Sequence, residues 1–264
     1  MGKFALVTGA YGGMGKAAVA LFKNNGYTVF ALDKRVETEE NGVIPIECDV
    51  TDELSVQSAI KTIAATTDRL DAVVHYAGIY MLDSLVEMSA DDFKKIFAIN
   101  LFGVYLINKT AIPLLHAGSK IVIVTSELAP LAPLPFTGIY AVSKGALDKY
   151  AYALRMELQL LGISVSVIRA GAIKTKMLGA SVSALDRFCE KTELYKCNAE
   201  NFKKIVNSVE AKSVPPEKVA QKTLKIIGKK NPKFAYSVNR NPLLKLLAAL
   251  PVDTQARIIK RILK

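Results

Sequence analysis

The chain is predicted to be α/β, a doubly wound parallel sheet with helices on both faces, and three observations carry that prediction. Short apolar runs alternate with helix-length segments, a glycine-rich turn follows the first run directly, and neither a repeat nor a linker interrupts the first two thirds of the chain. The strand candidates are Lys3 to Val7, Thr28 to Leu32, Val43 to Glu47, Ala72 to His75, Lys120 to Thr125 and Ser164 to Ile168, with a last one at Lys233 to Val238. Their β-branched and aromatic content suits strands buried on both faces. Helix starts are marked by Thr51-Asp52-Glu53 and by Ser89-Ala90-Asp91-Asp92, where a short polar side chain can accept from the first free amides. One domain over residues 1–264 is expected. It divides into a cofactor-binding and catalytic core (1–175), a lysine-rich region of one or two helices interrupted at Pro215-Pro216 (176–232), and a last strand with a basic tail (233–264). Ligands of open α/β sheets bind outside the carboxyl ends of the strands, so the middle region reads as a substrate lid.

Composition narrows the class. With 264 residues, 51% hydrophobic and 22% charged, the chain can bury a sizeable core and is neither disordered nor fibrous. No apolar run approaches the roughly eighteen residues of a membrane span, and the N-terminus enters a strand pattern without a signal-peptide layout, so a cytoplasmic protein is expected. Cys48, Cys189 and Cys197 form no Cys-x-x-Cys and read as reduced thiols. His75 and His116 are too few for a zinc site, so no metal is expected. The net charge of +11 is concentrated late: residues 174–264 hold 20 Lys and Arg against 7 Asp and Glu, residues 1–173 hold 15 against 17.

The glycine turn Thr8-Gly9-Ala10-Tyr11-Gly12-Gly13-Met14-Gly15 joins the first strand to a helix whose inner side carries Ala17, Ala18 and Leu21. Glycines there allow a tight turn and close approach of backbone to a pyrophosphate, while the helix N-terminus offers free amides and a positive dipole end. Dinucleotide binding follows as the expectation. Asp33 ends the second strand, 18 residues after Gly15, where a carboxylate accepts from the adenosine ribose hydroxyls and repels a ribose phosphate. That favours NAD, although Lys34 and Arg35 follow and keep NADP open.

Downstream, Tyr140 and Lys144 lie four apart, on one face of a helix, where an ammonium can favour the ionised phenol. A phenol with its ordinary pKa of about 10 is a poor base near neutrality, so such a neighbour matters.

These residues together resemble the short-chain dehydrogenase/reductase family, with Thr8-Gly9-x-x-x-Gly13-x-Gly15 as its cofactor turn, Asp49-Val50 as its adenine-pocket pair, Asn100 as its helix asparagine and Tyr140-x-x-x-Lys144 as its catalytic pair. The resemblance covers about residues 3 to 175. It implies a Rossmann-like sheet of about seven parallel strands and oxidation or reduction of a secondary alcohol or ketone. In that scheme Tyr140 is general acid/base, Ser126 holds the substrate oxygen, Lys144 also anchors the nicotinamide ribose, and Asn100 fixes a water between Lys144 and solvent. Cofactor contacts carry over to Gly9, Tyr11, Gly13, Met14, Gly15, Asp33, Asp49, Val50, Ala77, Gly78, Tyr140, Lys144, Ile173 and Thr175.

Three departures stand out. His75-Tyr76-Ala77-Gly78 replaces the family's Asn-Asn-Ala-Gly, which makes His75 and Tyr76 structural or cofactor-lining. Ala170-Gly171 replaces Pro-Gly. The family's serine position, thirteen residues before the tyrosine, is filled by Glu127, while Ser126 lies fourteen before; a loop with Pro130, Pro133 and Pro135 can absorb the extra residue. Ser126 is the expected partner of Tyr140, and Glu127 at that place would raise the phenol's pKa.

The tail Arg240 to Pro251 is similar to those of hydroxysteroid and retinol dehydrogenases, which implies a hydrophobic, steroid-like or lipid-like substrate. After it, Ile258, Ile259, Ile262 and Leu263 alternate with Arg257, Lys260, Arg261 and Lys264, a basic amphipathic helix able to lie on an anionic membrane or pack on its own domain. No nucleic-acid partner is expected, because no reading motif accompanies the charge. A homodimer or homotetramer through the helices at 91–116 and 138–161 is implied by the family. Two other readings are a sugar-nucleotide epimerase, disfavoured by the glycine spacing, and a noncatalytic dinucleotide sensor, disfavoured by the intact Tyr140, Lys144 and Asn100.

Overall fold

In the computed structural model, which describes residues 2–39, 41–210 and 212–264 with backbone alone at 178–182 and 207–210, the seven strands form one parallel sheet. They are β1 (Lys3–Thr8), β2 (Tyr27–Asp33), β3 (Val43–Glu47), β4 (Leu70–His75), β5 (Leu115–Ser126), β6 (Ser164–Ala170) and β7 (Ala235–Val238), in the order β3-β2-β1-β4-β5-β6-β7. Strand order reverses between β1 and β4, and the crevice at their carboxyl ends is where a ligand of such a sheet lodges.

Alternation along β1 shows how the sheet is clad. Leu6 faces a core built with α2 (Glu53–Thr66), α4 (Gly103–Ala111) and α5 (Gly138–Leu158), through Ile63, Ile107 and Leu147. Ala5 and Val7 face the opposite core, built with α1 (Gly13–Lys23) and α8 (Glu217–Ile227) through Phe22, Val219 and Ile226. Both predicted helix starts are capped: Asp52 accepts from the Leu54 amide and Ser89 from the Asp92 amide.

The helix opened by Ser89 changes pitch. It runs as α3 (Ala90–Phe97), widens into a π-helical segment (Ala98–Phe102) and continues as α4. Contrary to the expectation that no such run exists, Ala90–Leu114 is long and apolar enough to cross a membrane by composition. Its buried residues Ile96, Val104, Leu106 and Ile107 mark it as a layer over the sheet.

Among the described residues, 176–232 hold three helices, not one or two. Lys176–Lys191 is α6, Lys196–Glu210 is α7, and α8 begins directly after Pro215-Pro216, with Pro216 at its N-cap. Proline is at home where a helix starts. Of the three, α8 packs on the sheet, whereas α6 and α7 share a separate cluster. Their cluster joins Leu185, Phe188 and Phe202 to Leu82, Phe136 and Leu263. Phe136, at φ 64°, is held by ring contacts with Phe188, Tyr195 and Phe202. The tail forms α9 (Pro242–Ala248) and α10 (Val252–Leu263). Ile259 and Leu263, four apart, turn the inner face of α10 onto this cluster, while the buried Gln255 donates to Leu250 O. The exposed apolar side chains of the tail are instead Leu243, Leu246, Val252 and Ile262.

Candidate active site

The carboxyl ends of β1 to β6 contribute to one crevice. The turn after β1 is tied to β2, because the Ala10 amide donates to Leu32 O and the Tyr11 amide to Asp33 Oδ2 at 2.9 Å. Gly9 has φ 64° and lies so close to the loop after β4 that a Cβ would stand 2.6 Å from the Ala77 amide nitrogen. Only glycine fits there. The first turn of α1 carries no acidic side chain, which leaves its amides and dipole available to an anion.

A groove runs from this turn along Gly9, Gly13, Met14, Gly15, Asp33, Asp49, Val50, Ala77 and Gly78 to Thr175. It fits an extended dinucleotide, with a glycine cradle at the phosphate position and carboxylates at one end. Tyr11 is the exception among the expected contacts, since its ring packs against the α1-side core and only its backbone serves the turn. Asp49 receives Lys34 Nζ at 2.7 Å and the Thr51 amide and hydroxyl. Burial pushes the Asp49 carboxyl up, but these hydrogen bonds outweigh it and hold it below the ordinary carboxylate range.

A second cavity opens from the groove past Met14, Gly78, Thr175 and Met177. Ser126, Tyr140, Lys144, Gly171 and Ile173 line it together. Ser126 and Tyr140 line the same cavity, and hydrogen bonding by the Ser126 side chain acts to lower the phenol's pKa, so the serine one place earlier than the family's usual position is near enough to influence the tyrosine. The turn-rich stretch 127–136 takes up the additional residue. Glu127 lines the same cavity but is not bonded to the phenol. Its backbone extends the β5–β6 ladder by donating to Ala170 O, and its Oε2 accepts from the Asn241 amide at 2.6 Å.

The electrostatics differ from the expectation drawn from helical spacing. Burial pushes the Tyr140 phenol up to about 12 against the opposing hydrogen bond from Ser126, and burial pushes Lys144 down to about 8. Lys144 Nζ lies 5.9 Å from the Tyr140 ring centroid and donates to Val124 O at 3.4 Å. The cost of holding charge in this cavity therefore exceeds the help the ammonium gives the phenol.

Asn100 sits in the π-helical segment, fully buried. Its Oδ1 accepts from the Ile79 amide at 2.8 Å, and its Nδ2 donates to Ile79 O and to Ser143 Oγ, 3.1 Å away on α5. It thereby clamps the loop after β4 to the helix that carries Tyr140 and Lys144. A Cβ on Gly78 would lie 3.2 Å from Asn100 Oδ1 and 3.3 Å from Lys144 Nζ, so Gly78 separates the two. His75 is buried away from the cavity, bonded through Nε2 to Asn108, and burial holds its pKa down at about 4. Tyr76 lines both the groove and the cavity while its hydroxyl meets Thr223 at 2.7 Å.

The outer walls were not visible in the sequence motifs. Tyr80 stacks obliquely on Tyr140 with centroids 4.8 Å apart, and Leu128, Leu134, Phe202, Ile205, Val206 and Leu244 complete an apolar enclosure. Leu244 comes from α9, in the segment expected to be merely a tail.

Residues 3–186 match the family described as short chain dehydrogenase, and the chain belongs to that family of oxidoreductases. Among curated relatives, it is 26% identical over 246 residues to the 3-ketodihydrosphingosine reductase of Bacteroides thetaiotaomicron, covering 92% of this chain and 90% of that protein. Its fold is that of a short chain dehydrogenase family protein from Francisella tularensis, with a TM-score of 0.75 at 20% identity over 90% of this chain and 97% of that one. It is also that of ElxO, solved with NADP bound, with a TM-score of 0.73 at 23% identity over 90% and 97% of the two chains.

Proposed function

We propose that this short-chain dehydrogenase/reductase interconverts a hydrophobic, lipid-like secondary alcohol and its ketone, with Tyr140 as general acid/base and NAD as the favoured cofactor. The observation that carries the reading is the convergence of Ser126, Tyr140 and Lys144 in a cavity whose remaining walls are mostly apolar and which opens from a glycine-floored groove. When bound, the nicotinamide supplies or accepts the hydride. The protein's own residues manage the proton and the substrate.

The phenol, protonated at neutral pH, stands ready to give its proton to a developing alkoxide. Ser126, in the same cavity, holds the substrate oxygen beside that phenol. Lys144 supplies positive charge next to the tyrosine and reaches toward the cofactor side past Gly78. Asn100 acts in this scheme as a positioning residue, fixing the β4 loop against α5. For the cofactor, Asp33 at the ribose end repels a phosphate, and Lys34, which could neutralise it, is engaged by Asp49. Arg35 keeps NADP possible, the cofactor ElxO holds. Reduced-nicotinamide absorbance, with NAD and NADP supplied separately against fatty alcohols, sphingoid ketones, steroids, retinoids and sugars, tests both parts. Turnover confined to sugars, or confined to NADP, overturns the corresponding part.

The same reading places the protein at the surface of a membrane in the cytoplasm, where lipid substrates are held. Exposed Leu243, Leu246 and Val252, beside Lys245, Arg257 and Arg261, support that contact. Exposed Phe93, Phe102 and Tyr105 on α3 to α4, with Tyr152 and Met156 on α5, support self-association into a dimer or tetramer. A monomeric mass by light scattering would exclude it.

A further inference from the structure

Among the described residues the cavity contains one acidic side chain, and the proposed chemistry makes no use of it. Glu127 is 7% exposed, directly follows Ser126, and lines the same enclosure as Tyr140. Its two oxygens have different surroundings. Oε2 accepts from the Asn241 amide. Oε1 lies against Gly171, where a Cβ would stand 2.9 Å away, and it takes no hydrogen bond among the described residues. Glycine at 171 leaves that oxygen uncovered on the side of the cavity wall.

No described side chain pairs with this carboxylate. Arg240, the cation whose charge it feels, is exposed, and Lys144, the cation within the cavity, gives its hydrogen bond to Val124 O. A carboxylate taken out of water and given a single amide is costly unless a positive partner completes it. Burial accordingly pushes the Glu127 carboxyl above the ordinary range. An ammonium brought by the substrate would restore the balance. Ser126, Glu127 and Tyr140 all line this one enclosure, so a group held by Glu127 shares it with the oxygen held by Ser126.

We infer that Glu127 is a specificity-determining residue that selects substrates carrying an ammonium group on the carbon next to the reacting one, that is, hydrophobic vicinal amino alcohols and their α-amino ketones. The inference rests on the proposed placement of the substrate oxygen between Ser126 and Tyr140. The apolar walls from Tyr80, Phe202, Ile205 and Leu244 then receive the hydrocarbon remainder, and the carboxylate reads the polar end. A charge-assisted contact of this kind, in a site where its absence leaves a buried group unpaired, discriminates strongly.

Three long-chain ketones identical except at the adjacent carbon, bearing an ammonium, a hydroxyl or hydrogen, test it in steady-state kinetics with the wild-type protein and with Glu127→Gln and Glu127→Ala. The Gln variant retains an oxygen for the Asn241 amide and so separates the charge from the structural tie. We expect wild type to prefer the amino ketone in kcat/KM by about 10- to 100-fold over the plain ketone. Glu127→Gln should erase most of that ratio, chiefly through KM. An equal fall for all three ketones in Glu127→Gln assigns Glu127 to holding Asn241 alone and overturns the inference, as does a wild type indifferent to the ammonium or one that prefers the hydroxyl. Turnover of none of the ketones would instead strike at the alcohol/ketone reading itself, which the plain ketone reports independently of Glu127.

Discussion

The cofactor half of the molecule and its lid are built by different means. From β1 to β6 the geometry is imposed by backbone: parallel strands buried on both faces, a turn that only glycine can make at Gly9, and amides tied to Asp33 and Leu32. From α6 onward, apart from α8 and β7, shape comes from side chains, chiefly the rings of Phe188, Tyr195 and Phe202 packed on Phe136 and the tail residues Ile259 and Leu263 that close over them. The first construction leaves little freedom for its ligand to vary. The second can exchange walls without disturbing the sheet, which is where a family gains its range of substrates.

If the division is right, the largest effects follow changes in the first half that alter no contact of the second. Tyr140→Phe keeps the ring packed on Tyr80 and removes only the hydroxyl. Turnover should fall by about 10³- to 10⁴-fold, while the dissociation constant for the cofactor, read by fluorescence titration, stays within a few-fold. Turnover near that of wild type would take Tyr140 out of the chemistry. The pH profile sharpens the same point. The phenol is raised to about 12, so it is a proton donor at neutral pH and becomes a base only as pH rises; Lys144, lowered to about 8, loses its charge over the upper part of that range. Alcohol oxidation should therefore climb with pH and flatten once the ammonium is lost, whereas ketone reduction should not climb. An oxidation rate that falls on going alkaline contradicts this assignment.

The two halves were also unequally legible. Strand positions and the glycine turn could be read because hydrophobic runs and backbone limits are local, and Ser164 to Ile168 lies wholly within the observed β6. Ser126 could be preferred over Glu127 by chemistry alone, but which of the two reaches Tyr140 depends on a loop path that spacing does not encode. The Tyr140 and Lys144 pair shows the limit from another side. Residues four apart reveal a shared helical face, not the depth of burial that governs both pKa values. In the lid, Leu244 and Phe202 meet in one cavity although 42 positions separate them, and no periodicity links an aromatic on α7 with a leucine of the tail. Tyr11 shows a smaller gap: its place in the motif says nothing of where its ring goes, and the ring packs against the core.

A second break targets the outer surface of the tail, which serves neither the sheet nor the lid. Leu243 and Leu246 are about two-thirds exposed, whereas Leu244 between them turns into the cavity. Exchanging both exposed leucines for serine should weaken sedimentation with phosphatidylserine-containing vesicles by about 100-fold, since each leucine, inserted only in part, contributes on the order of 1.4 kcal/mol in the interface. Turnover of a short, water-soluble ketone should not follow that loss. Equal sedimentation of the double variant and the wild type would mean that these leucines face something other than lipid.

The smallest effect should come from the wall itself. Phe202 is nearly buried, joins the lid's aromatic cluster and also lines the cavity, so Phe202→Ala both loosens the lid and removes a substrate contact. Truncating a buried phenylalanine costs about 3–5 kcal/mol where the surroundings cannot collapse, but the lid can relax toward the opening, and part of that cost should appear as motion instead of lost stability. For long-chain substrates kcat/KM should fall by about tenfold, because the walls lose roughly one to two kcal/mol of apolar contact. A short ketone that fills only the space between Ser126 and Tyr140 should be nearly unaffected, and cofactor affinity should not move, since Phe202 does not border the groove. A variant that lost cofactor affinity in proportion to long-chain activity would show that lid and sheet are mechanically one unit, and the separation of a rigid cofactor half from an exchangeable substrate half would then fail for this protein.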